Sequence, residues 1–118
     1  MGQGGAQYIF DLASGLKNVA APVLDETLIV VSCNLSCSKD ASTAQRLARE
    51  TLNLFSQMNA PALASAILEN RLNACGGALA VSLFESGLLK KALPSPGDLV
   101  SAVSAENNTV YYSALSFE

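Results

Sequence analysis

The stretch TLIVVSCNLSCSKDASTAQRLARETLNLF, residues 27–55, contains the change of pattern that decides the fold. Residues 27–33 form a short apolar run that is rich in β-branched side chains and bounded by polar residues, which favours a strand covered on both faces. After Asp40 the apolar positions recur every three or four residues, as in an amphipathic helix. We therefore predict a strand and then a helix, with Ser38, Asp40 or Ser42 as the helix N-cap.

Two further segments show helical spacing. Residues 7–20 carry one apolar stripe, and Pro22 ends it. Pro61 marks the start of a third helical pattern over residues 61–74, because proline is well tolerated in the first turn of a helix. We expect the two glycines at 76–77 to close this third helix with positive φ angles.

The C-terminal part of the chain has the character of strands. Apolar and small side chains alternate over residues 79–83, which favours a strand, although the same residues would also fit a helix that continues through Glu85. Residues 94–98, PSPGD, have the composition of a loop. Residues 99–104 and 109–117 flank an Asn-rich turn, and this arrangement predicts a β-hairpin.

The resulting order, α-β-α-α-β-β-β, predicts an α+β domain with a mixed sheet of about four strands, an N-terminal helix and a central helix pair. We assign this single domain to residues 7–118 and interpret residues 1–6 as a flexible N-terminus or a vector-derived addition. The chain ends directly after a predicted strand, which suggests either a domain of a longer protein or a terminal strand that is tied firmly into the sheet.

The composition bears on partners and location. Of the 118 residues 50% are hydrophobic and only 14% are charged, where an ordinary soluble domain has about a quarter charged. So few charges predict an apolar surface that meets a second copy or another protein. The chain is mildly acidic, with seven basic and ten acidic residues, and its basic residues are scattered, so we expect no nucleic-acid binding. Neither a signal-peptide pattern nor a membrane span is present, which favours a cytoplasmic protein that does not enter a membrane.

The absence of histidine removes many kinds of chemistry. Without it there is no Ser-His-Asp or Cys-His arrangement and no His-containing zinc site. The three cysteines, Cys33, Cys37 and Cys75, are too few to complete a zinc site on their own, so we predict neither a metal nor a cofactor. Cys37 is the one weak catalytic candidate, because the backbone N–H groups of a following helix favour a thiolate. The competing interpretation makes Cys33 a small core residue and Cys37 an ordinary turn residue.

The hairpin is the best candidate for a working surface. Tyr111 and Tyr112 are adjacent in a predicted strand, so their side chains point to opposite faces, one towards the core and one towards solvent or a partner. We predict Tyr111, Tyr112 and Phe117 as interaction residues, since aromatic side chains are favoured contact anchors. The function predicted from the sequence is a non-catalytic, self-associating protein-interaction or assembly module. The alternative is a small thiol-dependent enzyme or redox sensor that uses Cys37.

Overall fold

The computed structural model describes residues 6–26, 29–31, 33–90 and 92–117. Its helices are α1 (Ala6–Ala20), α2 (Ala41–Gln57), α3 (Ala60–Leu68) and α4 (Gly77–Glu85), and a 3-10 helix (Ala21–Glu26) follows α1. Its strands are β1 (Ser36–Ser38), β2 (Pro94–Pro96), β3 (Val100–Val103), β4 (Thr109–Tyr112) and β5 (Leu115–Phe117). The predicted α+β class is confirmed, as is an order in which a helix and a strand precede a helix pair and strands end the chain. Of residues 1–6, interpreted above as flexible or vector-derived, residues 1–5 lie outside the described residues and Ala6 begins α1.

Short polar caps define the central helices. Asp40 is the N-cap of α2, and its carboxylate accepts a hydrogen bond from the backbone N–H of Thr43 at 3.2 Å. Asn59 caps α3 in the same way, with its side-chain oxygen 3.1 Å from the nitrogen of Ala62, and Pro61 lies in the first turn as predicted. These two helices form the predicted pair.

Helix α4 corrects one prediction. Residues 79–83, for which the alternation favoured a strand, lie inside this helix. The helix packs against both α1 and α3, so most of its side chains are buried and it has no polar stripe from which a helical period could be read. Its Ser82 Oγ lies 3.1 Å from the carbonyl oxygen of Ile9, a buried contact that ties α4 to α1.

The two glycines have a different role from the one predicted. Helix α3 already ends at Leu68, and Gly76 is the N-cap of α4 with a negative φ of −103°. A Cβ atom at Gly77 would lie 2.5 Å from Cδ1 of Ile67, so any larger residue would force the Ile67 side chain to move. Glycine therefore allows the close approach of α4 to α3.

The first strand lies later than predicted. Within the predicted strand 27–33, the described residues 29–31 and 33 adopt no regular structure, while residues 27, 28 and 32 lie outside the described part of the chain. The strand is instead the polar segment β1, which pairs with β4, and the N–H of Leu35 extends this pairing to the carbonyl of Tyr111 at 2.9 Å. Backbone pairing, rather than an apolar pattern, makes this segment a strand.

The predicted mixed sheet is two smaller antiparallel sheets, one of order β1-β4-β3 and one formed by β2 and β5. The hairpin of β3 and β4 is confirmed, but its second arm breaks after Tyr112 and continues as β5. The segment 94–96, predicted as loop, pairs with β5. Its two prolines have no N–H to donate. This is tolerated because each strand of a two-stranded sheet pairs on one side only.

The core lies between the helices and one face of the three-stranded sheet. Helix α2 packs on β1 and β4, while α3 and α4 pack on one another. The core cluster consists of buried apolar residues from the four helices, from the segment before β1 and from the connection between α3 and α4, namely Ile9, Leu35, Ala48, Phe55, Ala60, Leu63, Ala66, Leu72, Ala78, Ala80 and Val81.

Candidate functional site

The strand register determines which side chains share each face of the three-stranded sheet. The inner face is turned towards α2, because the buried Ser36 donates from its Oγ to the carbonyl of Ala44 and Tyr111 packs against the core. Residues paired across strands point the same way, and neighbours along a strand point oppositely. The side chains on the other face, which we call the outer face, are therefore those of Cys37, Val100, Ala102, Val110 and Tyr112.

The outer face is apolar and open. An antiparallel sheet with one wet face usually turns polar side chains outward. In this sheet polar side chains of β1, those of Ser36 and Ser38, point inward. The outer face instead exposes Val100 of β3 at 48% of its surface and Tyr112 of β4 at 41%. An exposed cluster of this kind is typical of a contact surface.

Strand β3 is the free edge of this sheet. All four of its residues are exposed, and among the elements that the structure describes, β4 alone makes an extensive contact with it. The N–H of Ser104 donates to the carbonyl of Asn108 at 2.8 Å and closes the hairpin. In an antiparallel ladder such bonded pairs alternate with unbonded ones. By that alternation Val100 and Ala102 bond to β4, while Ser101 and Val103 direct their N–H and C=O groups away from it.

The opposite edge of the sheet is closed. The side-chain amide of Asn73 donates to the carbonyl oxygen of Cys37 at 2.7 Å, and its oxygen accepts from the backbone N–H of Cys37 at 3.3 Å. A side chain thus takes the place of a further strand beside β1.

Cys37, the weak catalytic candidate, lies in β1 opposite Val110 and is partly buried. The helix that follows is capped by the Asp40 carboxylate and not by the Cys37 thiol. Hydrogen bonds from the Thr43 and Ser42 side chains hold the pKa of Asp40 below its usual value. The described polar contacts to Cys37 involve its backbone, through Asn73.

The three predicted interaction residues have different surroundings. Tyr112 lies on the outer face, whereas Tyr111 points to the core, as the opposed orientation of the pair predicts. Phe117 packs edge-on against Phe84, with ring centroids 5.7 Å apart, so it serves the contact between β5 and α4. The structure brings Tyr112 together with Val100, its cross-strand partner, which was not singled out from the sequence.

A small cavity of about 120 Å³ lies beside Phe84, and Cys33 lines it among apolar side chains. Burial raises the pKa of Cys33, and the hydrogen bond from the backbone of Gly76 lowers it by less. An adjoining groove of about 570 Å³ is also mainly apolar, with Leu24, Leu88 and Leu89 in its wall. Among the described residues that line these two spaces there is no pair of ionisable groups suited to acid–base chemistry.

Within the described residues, no group of three or more Cys, Asp or Glu side chains is placed to hold a metal ion. None of the described helices is both long enough and apolar enough to cross a membrane. Comparisons with family models, with curated proteins and with solved structures find no match to this chain.

Proposed function

We propose that this protein is a non-catalytic interaction module that associates with a second copy of itself through the edge of β3, so that the outer faces of the two copies join. The observation that carries the proposal is that all four residues of β3 are exposed at a free sheet edge, beside the exposed aromatic side chain of Tyr112. An edge strand with unpaired backbone groups is a template for pairing with another strand.

A second copy fits this edge without help from another protein. A two-fold axis perpendicular to the sheet makes two β3 strands antiparallel and keeps both outer faces on the same side. When the axis passes through Ser101, the two Ser101 residues exchange N–H···O=C bonds, and Val103 lies opposite Leu99 of the second copy. The same register places Val100 beside Ala102 of that copy, so both outer faces form one apolar surface on a six-stranded sheet.

Charge does not oppose this contact locally. Residues 100–103 include no charged side chain, and the nearest charges along the chain are Asp98 and Glu106. The interface would therefore bury no ionised group, whose unpaired burial is costly. Tyr112, the cross-strand neighbour of Val100, puts an aromatic side chain on the outer face one strand in from the joined edge, while Tyr111 and Phe117 hold the sheet in place from inside the subunit.

The proposal is tested first by light scattering on a sizing column at several protein concentrations. We expect the mass to rise from one to two chains as concentration increases, and Tyr112→Ala should shift this rise to higher concentration. A protein that stays monomeric throughout would refute the proposed function.

Amide hydrogen exchange then tests the register. Exchange at Ser101 and Val103 should slow as dimer forms, whereas the amides of Val100 and Ala102, which bond to β4, should change much less. If dimer forms while Ser101 and Val103 exchange at an unchanged rate, the contact lies elsewhere on the molecule.

A further inference from the structure

Two cysteines that are distant in sequence meet between β1 and α4. The backbone N–H of Asn34 donates to Sγ of Cys75 at 3.1 Å, and the N–H of Cys75 donates to the carbonyl of Asn34 at 3.3 Å. Asn34 and Cys75 are thus joined by two hydrogen bonds, and the backbone of Gly76 acts on the pKa of the neighbouring Cys33 thiol, which it lowers against the larger effect of burial.

The two bonds between Asn34 and Cys75 hold Cys33, the residue before Asn34, in the neighbourhood of Cys75. A disulfide tolerates Cα separations of up to about 7 Å. The charge on Cys75 also acts on Cys33, as expected of neighbouring sulfurs. By contrast, Cys37 is held in β1 with Val110 opposite it.

The environments of the two thiols differ in a way that assigns them separate roles. Cys75 is exposed and can meet a solute, whereas Cys33 is partly buried at the wall of the 120 Å³ cavity. An accessible thiol is the one that attacks an external disulfide, and a sheltered neighbour is the one that resolves the product.

We propose that Cys33 and Cys75 form a dithiol site that undergoes thiol–disulfide exchange with low-molecular-weight disulfides such as oxidised glutathione. The Cys75 thiolate attacks one sulfur of the small disulfide, whose S–S bond breaks and releases one thiolate. The Cys33 thiolate then attacks Sγ of Cys75 and expels the second thiolate. The protons lost by the two cysteines protonate the leaving groups. The protein loses two electrons as its disulfide forms, and the small disulfide gains them as it becomes two thiols.

The new bond would close a ring through residues 33–75, which contains β1, α2 and α3. It would join the segment before β1 to the N-cap of α4, and so restrict separation of the sheet from the helices. A cross-link of this kind raises the resistance of a fold to unfolding chiefly by constraining the unfolded chain.

The experiment treats the full chain with oxidised glutathione, alkylates the remaining thiols and measures intact mass. Wild type and Cys37→Ser should both lose two alkylatable thiols without retaining glutathione. Cys33→Ser should instead accumulate one glutathione adduct at Cys75. Retention of both free thiols, or of a glutathione adduct, in Cys37→Ser would overturn the proposal.

A second measurement needs no substitution. Chymotrypsin can cleave after Leu35, which separates Cys33 from Cys37, so peptide mapping of the oxidised wild type identifies the linked pair. Linkage of Cys33 to Cys75 is expected. Linkage of Cys33 to Cys37, or of Cys37 to Cys75, would refute the assignment. Neither result bears on the proposed dimer, which uses a different surface.

Discussion

The side-chain amide of Asn73 closes the edge of β1 by bonding to both backbone polar groups of Cys37. The sheet therefore has one edge that is sealed from within the chain and one edge, β3, that is left open. A protein normally protects each exposed edge of a sheet, so this asymmetry is the reason for placing the proposed dimer contact at β3.

Removing the Asn73 side chain should open the closed edge. We expect Asn73→Ala to lower the free energy of unfolding by about 1 kcal/mol, because the backbone groups of Cys37 lose their partners. Urea unfolding measures this loss. Asn53→Ala, at an exposed position on α2, is the matched control and should not destabilise the protein. Equal effects of the two substitutions would show that the Asn73 contact contributes nothing specific.

The core of α3 offers a paired comparison. Leu63 is fully buried and Leu68 is 64% exposed in the same helix. Leu63→Ala should cost about 2–5 kcal/mol of stability, because it removes apolar contacts and leaves a cavity. Leu68→Ala should change stability by about 0.5 kcal/mol or less. Urea unfolding of both variants measures the change in stability. Similar losses of stability would contradict the described packing of α3.

Some of this architecture could be predicted from the sequence and some could not. The helix from Asp40 was predictable because a polar cap precedes a clear amphipathic period. By contrast, β1 consists of Ser36, Cys37 and Ser38, and no pattern of hydrophobicity marks a polar strand whose pairing with β4 is decided by tertiary contacts. Helix α4 was misread as a strand because burial on most of its sides erases the helical period.

The candidate site was only partly predictable for a similar reason. Adjacency in a strand is enough to predict that the side chains of Tyr111 and Tyr112 point to opposite faces, but it does not say which face of the hairpin meets the core. Val100 became part of the site only through its register with Tyr112. The meeting of Cys33 and Cys75 depends on the path of the chain between them, which local sequence does not encode.

The N-cap of α2 should make stability depend on pH. Hydrogen bonds from Thr43 and Ser42 lower the folded pKa of Asp40 below its value of about 3.8 in the unfolded chain. The stabilisation is therefore present above the unfolded pKa and is lost as the pH falls through the folded pKa. Asp40→Ala should lower the urea midpoint at pH 7, and its deficit should shrink towards pH 2. Asp40→Asn, which can still cap the helix, is the control, and a deficit in Asp40→Ala that is independent of pH would contradict this account.

Salt should strengthen self-association. Each chain has a net charge of −3, whereas the proposed contact contains no charged side chain. Two copies therefore repel one another weakly, and added ions screen this repulsion without weakening the apolar contact. Raising NaCl from about 0.02 M to about 0.5 M should tighten the dimer several-fold in sedimentation experiments. Weaker association at high salt would indicate an interface built on ion pairs instead.

The central claim is that two copies pair along β3, and sedimentation equilibrium of three chains tests it most directly. Wild type and Val19→Lys, a control at a valine that is 78% exposed on α1, should dimerise equally. Val100→Lys should weaken the dimer by about tenfold or more, because it places a charge at the joined edge, while circular dichroism should show that the fold is unchanged. Dimerisation of equal strength in the wild type and both variants, or no dimerisation in any of the three, would contradict the proposed pairing along β3.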